Sequence, residues 1–225
     1  MKTIIYVDGY NLFYGCLKHT SEKWLDLNKL FFEFILHPQA PQSTPVTLKF
    51  FTADIKAKVA TNGHDAQLAQ QTYHRALQEL YRDKITIIKG YYSLDRARLL
   101  AYKKPPDKTE RVEVWKLEEK QTDVNIALEA YRDVAKGKAE QVVFVSNDTD
   151  IAPALAAIRE DFGSSVNIGV IIPVRKVSGG RPGNQQLSNH ADWTRKYITD
   201  EELANSQLPD NIPTRKKTIT KPEYW

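Results

Sequence analysis

"VFVSNDTDIAPAL", Val143 to Leu155, is the stretch that reads most clearly as a fold. Gln141 to Val145 is a short run rich in β-branched and aromatic residues, as expected of a strand buried on both faces. The run stops at Asp148 and Asp150, one residue apart. Ile151, Ala154 and Leu155 then resume with helical spacing, and Pro153 falls in the first turn, where its missing N–H costs nothing. A buried strand that turns at its carboxyl end straight into a helix is the repeating unit of a parallel α/β sheet.

The same reading extends in both directions. Thr3–Val7, Val46–Asp54, Ile85–Gly90 and Val166–Pro173 are the other expected strands. Helical spacing joins Leu12, Phe13 and Leu17, and then Leu27, Leu30, Phe31, Phe34 and Ile35. Residues Ala66–Tyr81 predict a helix with Leu68, Ala69, Tyr73, Ala76, Leu77 and Leu80 on one face. Thr122–Ala135 predicts another, with Val124, Ala127, Leu128, Tyr131 and Val134 inward, and Ile151–Glu160 a third. The three prolines of His37–Pro45 predict a loop. Residues 90–118 break the rhythm and read as a β-hairpin insertion, with arms Tyr91–Tyr102 and Glu110–Leu117 around Pro105-Pro106-Asp107. Arg175–Asn184 is a Gly-rich loop. The expected organisation is one α/β domain over residues 1–199, with a doubly wound, mainly parallel sheet. Residues 200–225, Pro-punctuated and polar towards the end, form a C-terminal tail or an arm over the body.

The 225 residues carry 32 Lys and Arg against 28 Asp and Glu, a net charge of +4. That balance allows a nucleic-acid partner without requiring one. The single Cys16 excludes an intrachain disulfide and a multi-Cys zinc site, and suits a reducing cytoplasm. The five-residue apolar run before Asp8 is too short for a signal-peptide core or a membrane span, and no later run reaches that length. The expectation is a cytoplasmic protein with no membrane partner.

In a doubly wound sheet, ligands sit at the carboxyl ends of the strands. Asp8, Asp54, Asp148 and Asp150 fall there, and Asp123 opens the helix that feeds the fourth strand. Taken singly, each has an ordinary role as a helix cap or a complement to the helix dipole. Gathered in one pocket, Asp8, Asp123, Asp148 and Asp150 would repel one another towards protonation. A dication relieves that repulsion, and hard oxygen donors without a Cys or His cluster select Mg²⁺ or Mn²⁺. Such a site suits phosphoryl chemistry.

Three segments, "YVDGYN" (Tyr6–Asn11), "EEKQTDVNIALEAYRD" (Glu118–Asp133) and "VFVSNDTDIAPAL", resemble in order and separation the signature of the NYN domain, a branch of the PIN-like nucleases. The likeness runs from Lys2 to about Trp193, ending in "LSNHADW" (Leu187–Trp193). It implies a parallel α/β/α sandwich and a metal-dependent endoribonuclease, with Asp8, Asp123, Asp148 and Asp150 as catalytic metal ligands. Asn11, Ser146 and Asn147 would shape the pocket or contact phosphate; apart from the resemblance, Lys120, Arg96 and Arg98 are expected to contact substrate. Two positions depart from the family pattern: Asn147 and Gln121 stand where glycine is frequent. Asn tolerates a left-handed backbone, so Asn147 is expected to serve the same turn.

Other readings stay open beside this one. A haloacid-dehalogenase-type phosphatase also ends strands with acids, but needs a second acid two residues from the first, and Tyr6 and Tyr10 flank Asp8 at that spacing. An RNA-binding protein with an impaired site keeps the fold without the chemistry. Some relatives with this pattern are described as succinoylpyridine hydroxylases; no flavin or nicotinamide fingerprint and no two-His-one-carboxylate pattern accompanies that activity here. The hairpin's Arg96, Arg98, Lys103, Lys104, Lys108, Arg111 and Lys116, interleaved with Tyr91, Tyr92, Tyr102 and Trp115, suit a single-stranded RNA. A homodimer partner is the competing cover for those aromatics.

Overall fold

The structure, a computed structural model, describes residues 1–176, 185–223 and 225. Of the expected Gly-rich loop, Arg175 and Lys176 are described; the remainder, Arg181 included, lies outside those residues. In chain order, β1 (Lys2–Asp8) leads into α1 (Gly9–Leu12), which continues as π-helical turns over Phe13–Leu17. A second π-helical stretch, Lys29–Leu36, runs on into α2 (His37–Gln39), so the expected loop at His37–Pro45 begins as helix. Pro38 is the second residue of α2. There follow β2 (Thr44–Ala53), α3 (Gly63–Leu80), β3 (Ile85–Leu100), β4 (Arg111–Lys120), α4 (Thr122–Ala135) and β5 (Gln141–Val145). A 3₁₀ turn over Thr149–Ile151 opens α5 (Ala152–Phe162), and β6 (Asn167–Ile171), α6 (Gln185–Ser188), β7 (Trp193–Arg195), α7 (Asp200–Asn205), β8 (Asn211–Ile212) and β9 (Ile219–Thr220) complete the chain.

The main sheet has seven strands in the order β4-β3-β2-β1-β5-β6-β7. All neighbours are parallel except β3 and β4. The chain leaves β1 for β2 on one side and returns to β5 on the other, so the strand order reverses between β1 and β5. Their carboxyl ends flank the crevice where such sheets bind ligands. Alternation along β1 sends Ile5 and Val7 to one apolar cluster and Ile4 and Tyr6 to the other. The first cluster includes Leu30, Phe31 and Leu77; the second includes Ile126 and Leu155. Residues 200–223 lie over the first face as an arm, with Leu203, Leu208, Ile212 and Ile219 in the same cluster. Arg175 ties this arm to the body by pairing with both Glu22 and Asp200.

The structure rotates two helix faces away from the expected ones. On α3, Ala69, Tyr73, Ala76 and Leu77 are buried as expected, but Leu68 and Leu80 are exposed. On α4, Val124 and Leu128 face solvent, while Thr122, Ile126, Ala130, Asp133 and Val134 are buried. On α4 the reason is polar. Lys49 of β2, 9% exposed, reaches across to α4, pairing with Asp133 and, at 2.6 Å, with Glu129. The Tyr6 hydroxyl donates to the same Asp133 carboxylate at 3.0 Å. This buried ion pair fixes which side of α4 meets the sheet.

The expected hairpin is present, and β3 forms it by running on without a break from the parallel sheet into antiparallel pairing with β4. Gly90 marks the change of partner. A Cβ there would stand 2.4 Å from the Lys120 carbonyl oxygen and 2.6 Å from Thr122 Oγ1, so only glycine lets the start of α4 close on the strand. Gln121, between β4 and α4, has φ 74° and ψ −14°, a left-handed conformation that explains why glycine is the frequent residue in the family pattern. Asn147 needs no such turn: among the described residues only His19 and Gln121 are non-glycine residues with positive φ, so the expectation for Asn147 is overturned. A left-handed side chain costs roughly 1–2 kcal/mol, against about 0.5–1 kcal/mol for the extra freedom of an unfolded glycine. Gln121→Gly is therefore expected to raise Tm by about 1–4 °C in thermal melts. Gln121→Ala keeps the Cβ and serves as the control; an equal gain there would refute the strain argument.

Candidate acidic site at the ends of β1 and β5

Asp8 ends β1 with a side chain 2% exposed. It caps α1: the Asn11 amide N–H donates to Asp8 Oδ1 at 2.9 Å and Asn11 Nδ2 to Oδ2 at 2.6 Å. Gly9 is required immediately after it, because a Cβ would sit 2.6 Å from the Phe51 carbonyl oxygen. From β5, Ser146 Oγ donates to Asp8 Oδ2 at 2.9 Å and accepts from the Asp148 N–H at 3.0 Å. The Asn147 N–H donates to Asn11 Oδ1 at 3.3 Å. Asn11 and Ser146 thus bind the two strand ends together around one buried carboxylate. Asp148 in turn caps the 3₁₀ turn, its Oδ1 accepting from the Asp150 N–H at 3.0 Å.

The electrostatics join the other acids to Asp8. Burial pushes the Asp8 carboxyl up to about 6, against the lowering pull of its hydrogen bonds from Asn11 and Ser146. Asp123, on the first turn of α4, is also pushed up to about 6, by burial first and then by the charges of Asp8, Asp148 and Asp150. A fifth acid, Glu119, belongs with them. Burial and Asp123 raise its pKa, and Thr122 Oγ1 donates to its Oε1 at 2.6 Å. Glu119 was missed in the sequence because its strand parity depends on the β3–β4 register, which pairs it with Tyr92.

The substrate residues expected from the sequence divide. Asn11, Ser146 and Asn147 meet at the acids. Lys120 does not: one residue after Glu119, strand alternation sends it to the opposite face, where it pairs with Glu118 at 2.7 Å. Asp54 is likewise apart, paired with Lys89 at 2.7 Å. Arg96 and Arg98 share the hairpin face of Tyr92, Leu94 and Trp115, ~13 and ~20 Å beyond Tyr92 at about 3.3 Å per residue. Arg96 pairs there with Glu113. Lys116 takes the other face with Glu118, so the hairpin's basic residues do not form one surface.

Chemically, the donor set suits a hard dication: carboxylate oxygens, no thiolate, and a negative field at Asp123 that a cation would relieve. Among the described residues, no three His, Cys, Asp or Glu side chains are arranged to hold an ion. Both Asp8 oxygens and Asp148 Oδ1 already accept hydrogen bonds. Asp8, Asp148 and Asp150 are therefore close enough to raise the proton affinity of Asp123 without the four converging on a single point. No helix among the described residues is long and apolar enough to cross a membrane.

Comparison with known proteins agrees with this picture of the fold. The chain superposes on the crystal structure of a protein of unknown function from Vibrio parahaemolyticus RIMD 2210633 with a TM-score of 0.51, at 17% identity, covering 89% of this chain and 94% of that one. It is 44% identical over 243 residues to a 6-hydroxy-3-succinoylpyridine 3-monooxygenase of Pseudomonas putida (strain DSM 28022 / S16), covering all of this chain and 75% of that protein. The NYN domain model matches residues 2–178, so the Leu187–Trp193 segment lies beyond the matched region. With more than three-quarters of its length in that match and Asp8, Asp123, Asp148 and Asp150 all inside it, the chain belongs to the NYN domain family, a PIN-like nuclease family.

Proposed function

We propose that the chain is a divalent-metal-dependent endoribonuclease that hydrolyses RNA phosphodiester bonds at the ends of β1 and β5. The observation that carries this reading is that the charges of Asp8, Asp148 and Asp150 all help to push the Asp123 carboxyl up, across the strand-order reversal. Mg²⁺ or Mn²⁺, when bound, would polarise a phosphate oxygen and acidify water. The acids themselves would hold it, with Asp8 kept in place by Asn11 and Ser146. Asp150, exposed at the mouth, is the residue to orient the attacking water and take its proton. Water adds in line to phosphorus and the ribose oxygen leaves with a proton, so no covalent intermediate is needed. Trp115, Arg96 and Arg98, on the face that leads from Tyr92, supply stacking and phosphate neutralisation for a single strand.

The test is direct. The full chain should cleave single-stranded RNA with Mn²⁺ or Mg²⁺, and a chelator should abolish cleavage. RNA retained but uncut under the same conditions would leave a binding protein of the same fold. A second reading is favoured by the Pseudomonas relative, whose name describes oxygenation of a small pyridine. Oxygen-dependent consumption of 6-hydroxy-3-succinoylpyridine, with no RNA cleavage, would decide for it.

A further inference from the structure

Beside the acids lies a cavity of about 470 Å³, within the size range of small-molecule sites. Gly9 and Tyr10, which follow Asp8, and Glu119 line it, so it adjoins the acidic site. Its mouth is aromatic and basic. Tyr10 and Tyr14 stand with ring centroids 4.3 Å apart and are 43% and 50% exposed, and Lys18 Nζ lies 4.7 Å from the Tyr14 ring centre. Lys56 sits on the rim with Val59, which is 43% exposed. Deeper in, His74 is 6% exposed and its Nδ1 has no hydrogen-bond partner. Burial pushes the His74 pKa down to about 4, so the ring is neutral and available to a donor on a ligand edge.

A ligand that satisfies these features has a flat ring to stack on tyrosine, an edge donor or acceptor for the imidazole, and an anionic group for lysine. We infer that the cavity is a base-binding subsite, taking the nucleobase that flanks the scissile phosphate, with the phosphate directed back towards the acids. This rests on the nuclease reading and deepens it: substrate selection would reside in the cavity, and the acids would be indifferent to sequence. The hairpin face reaches the same place, because Tyr92, Leu117 and Glu119 line the cavity and Trp115 shares their face.

The experiment separates binding from cleavage. Binding of adenosine 5′-monophosphate to the full chain is measured by calorimetry with chelator present, and RNA cleavage is measured separately with Mn²⁺. Stacking on one ring is worth roughly 5- to 150-fold in affinity. Tyr14→Ala is expected to weaken nucleotide binding at least fivefold, and Val59→Trp, which fills the mouth, at least tenfold. Both should raise KM for RNA by similar factors, with kcat within about threefold of the parent and Tm within about 2 °C. Metal-dependent cleavage indifferent to both substitutions overturns the cavity assignment and leaves the nuclease reading standing. Nucleotide binding lost in both variants, from a parent that cuts no RNA, upholds the ligand class and overturns the nuclease reading. Binding of pyridine-3-carboxylate that the nucleotide cannot displace also overturns the inference.

Discussion

On the proposed reading, Asp8→Asn is expected to lower RNA cleavage by on the order of 10³-fold while making the protein more heat-resistant at neutral pH. The two effects have one cause. Burial raises the Asp8 carboxyl to about 6, so the folded state holds the proton more tightly than the unfolded chain. For a carboxyl shifted this way, its contribution is fully present below its ordinary value near 3.8 and is lost as pH rises to about 6. At pH 7.5 the ionised group therefore weighs against folding, and an amide relieves it. The relief is smaller than the full shift implies, because an amide nitrogen cannot accept from both Asn11 and Ser146 as the carboxylate does. A gain of about 1–2 kcal/mol, or about 2–8 °C in Tm, is expected at pH 7.5, shrinking to nothing near pH 4. Melts at the two pH values and single-turnover cleavage with saturating Mn²⁺ check it. Turnover equal to the parent's would remove Asp8 from the reaction and with it the proposed site.

Lys49→Met is the most damaging single substitution expected away from the acids. It leaves Asp133, 3% exposed, with only the Tyr6 hydroxyl and the more distant Lys138 as side-chain partners among the described residues. Removing one member of a buried ion pair costs about 3–5 kcal/mol, so Tm should fall by about 6–20 °C. Restoring neutrality with Lys49→Met plus Asp133→Leu should recover much of that loss, since the damage comes from the stranded charge. A Lys49→Met melt within about 2 °C of the parent would mean that water reaches Asp133 and that the ion pair does not orient α4.

That ion pair also explains what the sequence could and could not convey. The strands were legible because Ile4–Val7 and Val142–Val145 are unbroken apolar runs, and parallel strands buried on both faces need nothing else. The helix faces were harder to read. On α4 the apolar pattern through Val124 and Leu128 points outward, because Thr122 and Asp133 occupy buried positions that pattern reasoning reserves for apolar side chains. The partner that makes Asp133 tolerable, Lys49, lies 84 residues away. Asp8, Asp123, Asp148 and Asp150 could be placed near one another from topology alone, since strand ends and helix starts share an edge. Glu119 and Lys120 could not be sorted, because their faces depend on a register one residue fine. The C-terminal arm looked polar and proline-rich, yet it buries four widely spaced aliphatic residues that no local period connects.

The geometry of α4 has a consequence for how its length can vary. One end carries Asp123 at the acids, and the other is pinned to the sheet through Asp133 and Lys49. The two aspartates stand ten positions apart, and an α-helix turns about 100° and advances ~1.5 Å per residue. A single inserted or deleted residue between them would swing Asp123 about a quarter-turn off the strand ends, while the pinned end stayed put. Surface positions such as Val124 and Leu128 are free to change in kind. The number of residues between the two anchors is not.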